Sequence, residues 1–529
     1  MQLTQIFKQT QLVLGPGAWN RLLELCRLPD DENRFVPALS EITDSILPDY
    51  VKELAMLEYR FHQLQHQECR FEFPQESFVL NPTLEVIPCQ WTTIDTFHRT
   101  EPVIPKESEH YALLWKHPDS QKVYLQRAGD RELLILKILA EDLSLDEVAK
   151  QGSLSFGQLW DFLLQCPDMG LVLGPPSKIE RSLQTFPDNG RFKKHRSVSA
   201  FTLQWHITHA CDLHCKHCYD RSKRSALTLE QGYNILRQFL DFCRTKQVRG
   251  HVCFTGGNPF LSPHFYDFYG FAHKQGFSTS ILGNPVSRSE IKKMADIQSP
   301  TYYQVSLEGL PRHNDAIRGD GNFARVIEFL GVLRDLDIVP SVMLTLTKDN
   351  IDQVLPLAER LRGHASRFNF NRLSQVGEGA GLMLPGKEVY LAFLKEYTTA
   401  RNSNPILGLK DNLLNPVREA LGQPLFGGCT TYGCGAAFSF MAVLPDGEVH
   451  ACRKFPSLIG NVNQSTLLEI FNSEQAEWYR RGSSACDACH LKLICGGCMA
   501  IAASHQRDIF KEKDPFCPLD DGSVSIKNT

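Results

Sequence analysis

The stretch ACDLHCKHCYD, residues 210–220, holds Cys211, Cys215 and Cys218 in the spacing CxxxCxxC. It follows directly on the apolar run FTLQWHI, residues 201–207, which has the composition of a strand. Three thiolates on one short loop are one ligand fewer than the four that usually hold a 4Fe–4S cluster, so one iron would stay open to another ligand. A zinc site made of two cysteines and neighbouring histidines is the alternative, because Cys and His together also bind zinc.

Short apolar runs alternate with amphipathic helical segments through the region that starts with this strand, residues 201–373. Six or seven such units predict an α/β fold with a parallel sheet, and right-handed crossovers predict that the sheet curls into a partial (β/α)6 barrel of the TIM type. In such barrels the chemistry lies at the carboxyl ends of the strands. Candidate site residues follow the carboxyl ends of five predicted strands, at 211–218, 256–259, 283–285, 306–308 and 372.

The position of the cysteine loop favours iron–sulfur over zinc, because a structural zinc site needs no open position and this loop lies at the predicted catalytic edge. The spacing, with aromatic Tyr219 next to the last cysteine, resembles the signature of the radical S-adenosylmethionine (SAM) superfamily. The resemblance implies that the amino and carboxylate groups of SAM occupy the open iron. Reductive cleavage of SAM then yields methionine and a 5′-deoxyadenosyl radical.

The same resemblance implies a SAM pocket built on the strand ends. Gly256, Gly257 and Pro259 match the family's GGxP element, which receives the methionyl amine, while Asn258 stands where Glu is frequent. Glycines at a strand end let a ligand approach the backbone closely. No residue is assigned a catalytic role.

Two further strand ends complete the expected pocket. Ser306 is similar to the fourth-strand serine that contacts SAM, and Glu308, which replaces the usual Asp, receives no role. Arg372 is expected to bind the methionyl carboxylate through two hydrogen bonds. The residues expected to bind SAM are therefore Tyr219, Gly256, Gly257, Pro259, Ser306 and Arg372.

Eight more cysteines lie between residues 429 and 517, enough for two fully ligated 4Fe–4S clusters. Gly447 in LPDGEVHAC predicts a hairpin turn that brings Cys434 and Cys452 together. A zinc ribbon is the alternative, but its paired CxxC knuckles usually lie about 15–20 residues apart. Here only five residues separate Cys489 from Cys495.

This pattern resembles the SPASM domain of peptide-modifying radical SAM enzymes, although its CGGC at 495–498 is one residue shorter than the family's usual spacing. The resemblance implies two auxiliary clusters. The nearer set of ligands is Cys429, Cys434, Cys452 and Cys498, and the farther set is Cys486, Cys489, Cys495 and Cys517.

Composition excludes several classes of partner. Lys and Arg total 56 against 60 Asp and Glu, with no dense basic run, so we expect no nucleic acid. No apolar run of about 18 residues occurs, and MQLTQIFKQT lacks the features of a signal peptide, so we expect a cytoplasmic protein without a membrane partner. Because cytosolic thiols stay reduced, the seventeen cysteines indicate metal ligation and not disulfides.

The segment 106–178 carries two extended runs, YALLWKH and KVYLQRA, then three helical stretches and a terminal LVLG, an order typical of a winged helix. Ser144, with Glu147 three residues later, predicts a capping box on the second helix. The segment resembles the PqqD-type domain, which binds leader peptides by adding them as a strand to its sheet. A structural cap or a DNA reader is the alternative, and the lack of basic clustering argues against DNA.

The resemblances together predict a radical SAM peptide maturase, an oxidoreductase that modifies a ribosomally synthesised precursor peptide. Within the maturases they suggest the selenobiotic or thio(seleno)oxazole branch, and they imply a low-potential electron donor such as flavodoxin or ferredoxin. The alternative is a non-catalytic iron–sulfur electron carrier or sensor, which has no need of a SAM pocket. The predicted order is a mostly helical accessory region at 1–105, the recognition module at 106–178, a polar linker at 179–199, the radical SAM core at 200–400 and the SPASM domain at 401–529.

Overall fold

The structure, a computed structural model, describes residues 3–26, 32–42, 48–97, 100–187 and 190–520. The chain forms two compact units, Met1–Pro175 and Pro176–Thr529, which we call the N-terminal and C-terminal units. Each unit has its own clusters of buried apolar side chains. No helix within the described ranges is long and apolar enough to cross a membrane.

The N-terminal unit begins with helices and continues as a mixture of short strands and helices. Its helices are α1 (Leu3–Ile6), α2 (Lys8–Cys26), α3 (Glu32–Glu41), α4 (Tyr50–His66), α5 (Asp130–Ala140), α6 (Leu145–Gln151) and α7 (Phe156–Met169). Its strands are β1 (Val79–Leu80), β2 (Glu85–Trp91), β3 (Glu107–Lys116), β4 (Val123–Arg127) and β5 (Val172–Leu173).

A three-stranded antiparallel sheet in the order β2–β3–β4 lies in this unit, and β1 pairs separately with β5. The predicted boundary between residues 105 and 106 is therefore wrong, because it separates β2 from β3, its hydrogen-bonded neighbour. The run YALLWKH forms most of β3, which has a partner on both sides, whereas KVYLQRA contains the edge strand β4.

The capping of the helices in this unit follows the sequence only in part. Ser144 precedes α6 as expected, but its side chain makes no capping hydrogen bond, so the predicted capping box with Glu147 does not form. Ser155 forms one with Gln158 at the start of α7, where each side chain bonds to the other's backbone N–H. That helix ends at Gly170, whose left-handed φ of 76° suits a glycine.

The C-terminal unit alternates strands and helices and then ends in short elements. Its strands are β6 (Ala200–Thr208), β7 (Arg249–Gly256), β8 (Ser278–Leu282), β9 (Tyr303–Ser306), β10 (Pro340–Leu346), β11 (Arg367–Arg372), β12 (Phe440–Val443), β13 (Glu448–His450) and β14 (Leu458–Asn461). Its helices are α8 (Leu229–Lys246), α9 (Phe265–Lys274), α10 (Arg288–Ile297), α11 (Pro311–Arg318), α12 (Asn322–Asp335), α13 (Val354–Arg360), α14 (Lys387–Ala400), α15 (Leu414–Ala420), α16 (Leu467–Asn472), α17 (Glu474–Arg481) and α18 (Met499–Ser504).

One nine-stranded sheet runs through this unit in the order β11–β10–β9–β8–β7–β6–β12–β13–β14. The six strands β6 to β11 pair in parallel, which confirms the predicted α/β fold with a parallel sheet. Strand β12 extends this sheet by pairing in parallel with β6, and β13 then returns antiparallel. The regions predicted on the two sides of residue 400 thus share one sheet.

The segment predicted as a linker, 179–199, packs into the core of the C-terminal unit; residues 188 and 189 lie outside the described residues. Ile179 and Val198 are buried and joined by a backbone hydrogen bond, and Phe186 is buried as well. Arg181 is also buried, where its Nη2 donates to the carbonyl oxygen of Cys434 at 2.6 Å and its guanidinium lies over aromatic rings. The linker prediction is wrong, because these apolar side chains and this arginine fix the segment to the core.

Candidate active site

A cavity of about 640 Å³ opens at the carboxyl ends of the parallel strands. Ser306 and Arg372 end β9 and β11, and Gly256 ends β7, so the sheet itself brings these positions together. Pro259 is buried and does not line the cavity. The walls of the cavity include the other residues that the sequence predicts for this site: Cys211, Cys215, Cys218, Tyr219, Gly256, Gly257, Ser306 and Arg372.

The two glycines after β7 pack against the chain that leads into the cysteine loop. The N–H of Gly257 donates to the carbonyl oxygen of Thr208 at 2.9 Å, and that of Asn258 donates to the carbonyl oxygen of Ala210 at 2.8 Å. A Cβ on Gly256 would lie 2.1 Å from the Thr208 oxygen, and a Cβ on Gly257 would lie 2.1 Å from the Ala210 oxygen. The glycines are therefore required by this close approach, which positions Cys211.

Two asparagines at strand ends hold the first part of the cysteine loop. Nδ2 of Asn284 donates to Asp212 at 2.7 Å and lies 3.5 Å from the sulfur of Cys211. Nδ2 of Asn258 donates to the same Asp212 oxygen at 3.1 Å. Asn258 thus orients the loop, a role that its place in the GGxP element did not reveal.

Glu308, which received no role from the sequence, is the centre of a buried charged group. Its Oε1 accepts hydrogen bonds from Arg318 at 2.5 and 2.9 Å and lies 3.2 Å from Nε2 of His217. Arg318 in turn directs Nη1 at the sulfur of Cys215, 3.5 Å away. Burial alone would raise the pKa of Glu308, but His217 and Arg318 outweigh it and hold that pKa at about 2. The positive charge of Arg318 therefore lies beside the thiol of Cys215.

Tyr219 joins the cysteine loop to the segment that follows β13. Its hydroxyl accepts a hydrogen bond from Nη1 of Arg453 at 3.2 Å and lies 3.4 Å from Nε2 of His206. Burial and the charge of Arg453 lower the pKa of His206, so this imidazole is neutral. His206, Tyr219 and Arg453 form one wall of the cavity.

Arg372 does not have the free guanidinium that the sequence interpretation required. It is 1% exposed, and its three nitrogens bind the carboxylates of Asp411 and Asp514 at 2.7–3.4 Å. These two charges already use the donors that would clamp a ligand carboxylate. The prediction that Arg372 binds the methionyl carboxylate is therefore not supported, and we assign Arg372 to holding residues 411 and 514 beside β11.

The cysteines of the nearer auxiliary set are close enough for their thiols to raise one another's pKa. Burial, together with the neighbouring thiols, raises the pKa of Cys434 to about 12. Burial and the same neighbours raise the pKa of Cys452 to about 11. The thiols that influence one another are Cys429, Cys434, Cys452 and Cys498.

All four cysteines of the farther set line one small cavity of about 30 Å³. Burial, together with the neighbouring thiols of Cys489 and Cys517, raises the pKa of Cys486 to about 12. Among the described residues, no three side chains of His, Cys, Asp or Glu lie close enough to hold a single metal ion. A 4Fe–4S cluster has a different requirement, because each of its cysteines binds a different iron atom.

The donor sets therefore fit iron–sulfur clusters. Three thiols on one wall of an open cavity leave room for a ligand on a fourth iron, and two sets of four thiols are each complete.

Comparison with protein families agrees with this arrangement. Residues 205–361 match the radical SAM superfamily, and residues 434–498 match the iron–sulfur cluster-binding domain SPASM. The first match contains the three cysteines of the cavity, and the second begins and ends at cysteines of the nearer auxiliary set. The two domains confirm 4Fe–4S clusters and SAM as the cofactors.

Several curated proteins are similar over the same region. The antilisterial bacteriocin subtilosin biosynthesis protein AlbA of Bacillus subtilis is 23% identical over 55% of this chain and 65% of its own length. The mycofactocin maturase MftC of Mycolicibacterium smegmatis is 27% identical over 56% of this chain and 78% of its own. An AdoMet-dependent heme synthase of Methanosarcina barkeri is 23% identical over 60% of this chain and 95% of its own.

Among solved structures, Streptococcus suis SuiB bound to its precursor peptide SuiA covers 77% of this chain and 96% of its own. The identity is 17% and the TM-score is 0.49. At this TM-score the likeness supports no argument about function.

Proposed function

We propose that this chain, a radical SAM enzyme with a C-terminal SPASM iron–sulfur domain, modifies a ribosomally synthesised precursor peptide. Relatives named for bacteriocin biosynthesis and for mycofactocin maturation support a peptide substrate. The heme synthases among the relatives show that these domains alone do not decide the substrate. The rival interpretation, a non-catalytic electron carrier, does not account for the large cavity beside the three cysteines.

The observation that carries the proposal is the edge strand β4 in the N-terminal unit. Within the described residues β4 pairs only with β3, so its outer backbone groups are available to an extended peptide. Tyr124 on this strand and Tyr111 on β3 are 41% and 48% exposed, which offers apolar contacts beside the edge. The opposite edge strand, β2, contains Pro88, which cannot donate a main-chain hydrogen bond.

The residues of the cavity would hold and orient the reactants. Cys211, Cys215 and Cys218 would hold a 4Fe–4S cluster, which when bound would supply the electron for the cleavage of SAM, and flavodoxin or ferredoxin is the donor that we propose for it. Glu308 holds Arg318 against the Cys215 sulfur, so a positive charge stays beside a thiolate that would otherwise be buried without compensation. The bare backbone of Gly256 and Gly257 forms the strand end beside the loop, where the methionyl amine is expected.

Binding a leader at a separate surface would supply energy remote from the reacting atom. That energy can orient the reacting residue while water is kept from the cavity. The peptide would thus be recognised in one place and modified in another.

Co-expression tests the proposal. The chain is produced together with each short open reading frame that flanks its gene, and every peptide is analysed by mass spectrometry. We expect one peptide to change in mass with the intact enzyme and to stay unchanged with the Cys215→Ala variant. If no peptide changes while the enzyme still turns over SAM, the substrate is not such a peptide.

A further inference from the structure

Of the seven Lys and Arg side chains that line the large cavity, Arg221 and Lys223 are exposed to solvent, and three others are neutralised by a carboxylate. Arg318 pairs with Glu308, and Arg224 pairs with Asp446 and Glu448 at 2.6 Å each. Arg372 pairs with two aspartates, as described above. Of the lining residues in the described part of the chain, only Asp220 is acidic, and it already faces Arg224 and His209.

Arg453 and Lys454 differ from these basic residues. Nη1 of Arg453 donates to Tyr219 and, at 3.4 Å, to Oγ1 of Thr255, while Nε and Nη2 have no acceptor in the described ranges. Nζ of Lys454 reaches only the carbonyl oxygen of Arg372, at 3.4 Å. Neither side chain has a carboxylate within 4.0 Å among the described residues, and both line the cavity.

Two adjacent cations in a partly enclosed cavity raise the free energy of the folded protein unless an anion lies beside them. A guanidinium fork beside an ammonium group matches a carboxylate, which can accept from both. Tyr219 and Thr255 hold one end of the Arg453 guanidinium, which leaves its remaining donors free for such a ligand.

We propose that Arg453 and Lys454 form a carboxylate-binding subsite of the cavity. The carboxylate belongs either to the methionyl group of SAM or to an acidic residue of the substrate, and the second source rests on the proposed function. The first source would supply the contact that Arg372 cannot make. The second would select peptides with Asp or Glu next to the residue that reacts.

The cofactor arm of the test measures binding of SAM and of decarboxylated SAM, which lacks only the carboxylate, to the full-length reconstituted enzyme by anaerobic equilibrium dialysis. If the subsite holds the methionyl carboxylate, R453Q and K454Q each weaken SAM about tenfold and leave decarboxylated SAM unchanged. R453K should recover part of the loss, because it keeps the charge. The matched control is K223Q, which removes another lysine that lines the cavity and leaves Arg453 and Lys454 unchanged.

The substrate arm presents a random decapeptide library to the SAM-loaded enzyme and sequences the retained peptides. If the subsite holds a substrate carboxylate, the wild type enriches Asp and Glu over Asn and Gln at one position by about tenfold or more, and R453Q loses that preference. K223Q should keep it. An effect in either arm supports the subsite and identifies the source.

The proposal is overturned if R453Q and K454Q bind both SAM compounds like the wild type and retain the same peptides in the library. A change confined to the electron paramagnetic resonance signal of the auxiliary clusters would likewise overturn it, since Arg453 would then be only a counter-charge beside Cys452. The proposed function fails separately, through the wild-type enzyme and the co-expressed peptides, so the two failures are distinguishable.

Discussion

At the scale of single residues, Glu308 and Arg318 form a buried ion pair beside the cysteine loop. Their side chains are 2% and 9% exposed, and they hold one another beside Cys215. Removing one partner of a buried pair leaves the other charge without compensation. Glu308→Gln should therefore destabilise the protein by about 3–5 kcal/mol in urea unfolding of cluster-free protein.

The matched control is Asp335→Asn, which breaks the exposed pair with Arg288 and should cost less than about 1 kcal/mol. Because the folded pKa of Glu308, about 2, lies below the ordinary 4.5, its stabilisation is present above pH 4.5 and is lost as pH falls through 2. The deficit of Glu308→Gln should thus stay constant from pH 6 to 8. Equal losses for the two variants would contradict the buried-pair account.

Glu58 in the N-terminal unit has the opposite shift. Burial raises its pKa from 4.5 to about 7, although it accepts hydrogen bonds from the backbone of Gln9 and from Thr10. A raised pKa means that the stabilisation is complete below pH 4.5 and is lost as pH rises through 7. Between pH 5 and pH 8, hydrogen exchange in α4, corrected for the intrinsic rate, should report a loss of up to about 3 kcal/mol.

Glu58→Gln should remove that pH dependence, because the amide cannot ionise. The control Glu85→Gln, in an exposed pair with Arg60, should keep the wild-type profile. An unchanged profile in Glu58→Gln would show that another group titrates.

At the scale of elements, the cysteine loop depends on the turn after β7. A Cβ at residue 256 or 257 would meet backbone oxygens at 2.1 Å, and backbone cannot move aside as a flexible side chain can. Gly256→Ala should therefore displace the loop and reduce iron at the first cluster by about four atoms per chain. Gly270→Ala in α9, where nothing lies within 4 Å of the added Cβ, should keep full iron content. Equal iron in both variants would contradict this role of the turn.

Contacts that are local in sequence could be predicted, and contacts between distant residues could not. The three cysteines occupy eight consecutive residues, and the strands recur at regular intervals, so the cavity wall and the parallel sheet were predictable. The partners of Arg372 lie 39 and 142 residues away, so no local pattern reveals that its charge is neutralised. The segment 179–199 is rich in charged residues. Only the structure shows that its few apolar side chains are buried in the core.

At the scale of the whole molecule, the division into two units predicts that recognition and chemistry are separable. The cysteines of all three proposed cluster sites lie in Pro176–Thr529, which also contains the whole nine-stranded sheet. Deleting residues 1–175 should leave SAM cleavage within about threefold of the wild type and reduce modification of a full-length precursor peptide by about a hundredfold. Chromatographic assays of 5′-deoxyadenosine and of modified peptide check this. Equal modification by both forms would make the N-terminal unit a structural cap.

The central claim is that Cys211, Cys215 and Cys218 hold the cluster that cleaves SAM. The most direct test replaces all three by Ala, reconstitutes the protein without oxygen and measures iron and dithionite-driven formation of 5′-deoxyadenosine. The wild type should hold about twelve iron atoms and the variant about eight, because the two auxiliary sets keep their ligands. The variant should form no 5′-deoxyadenosine. If it still cleaves SAM, the reaction takes place elsewhere and this account is wrong.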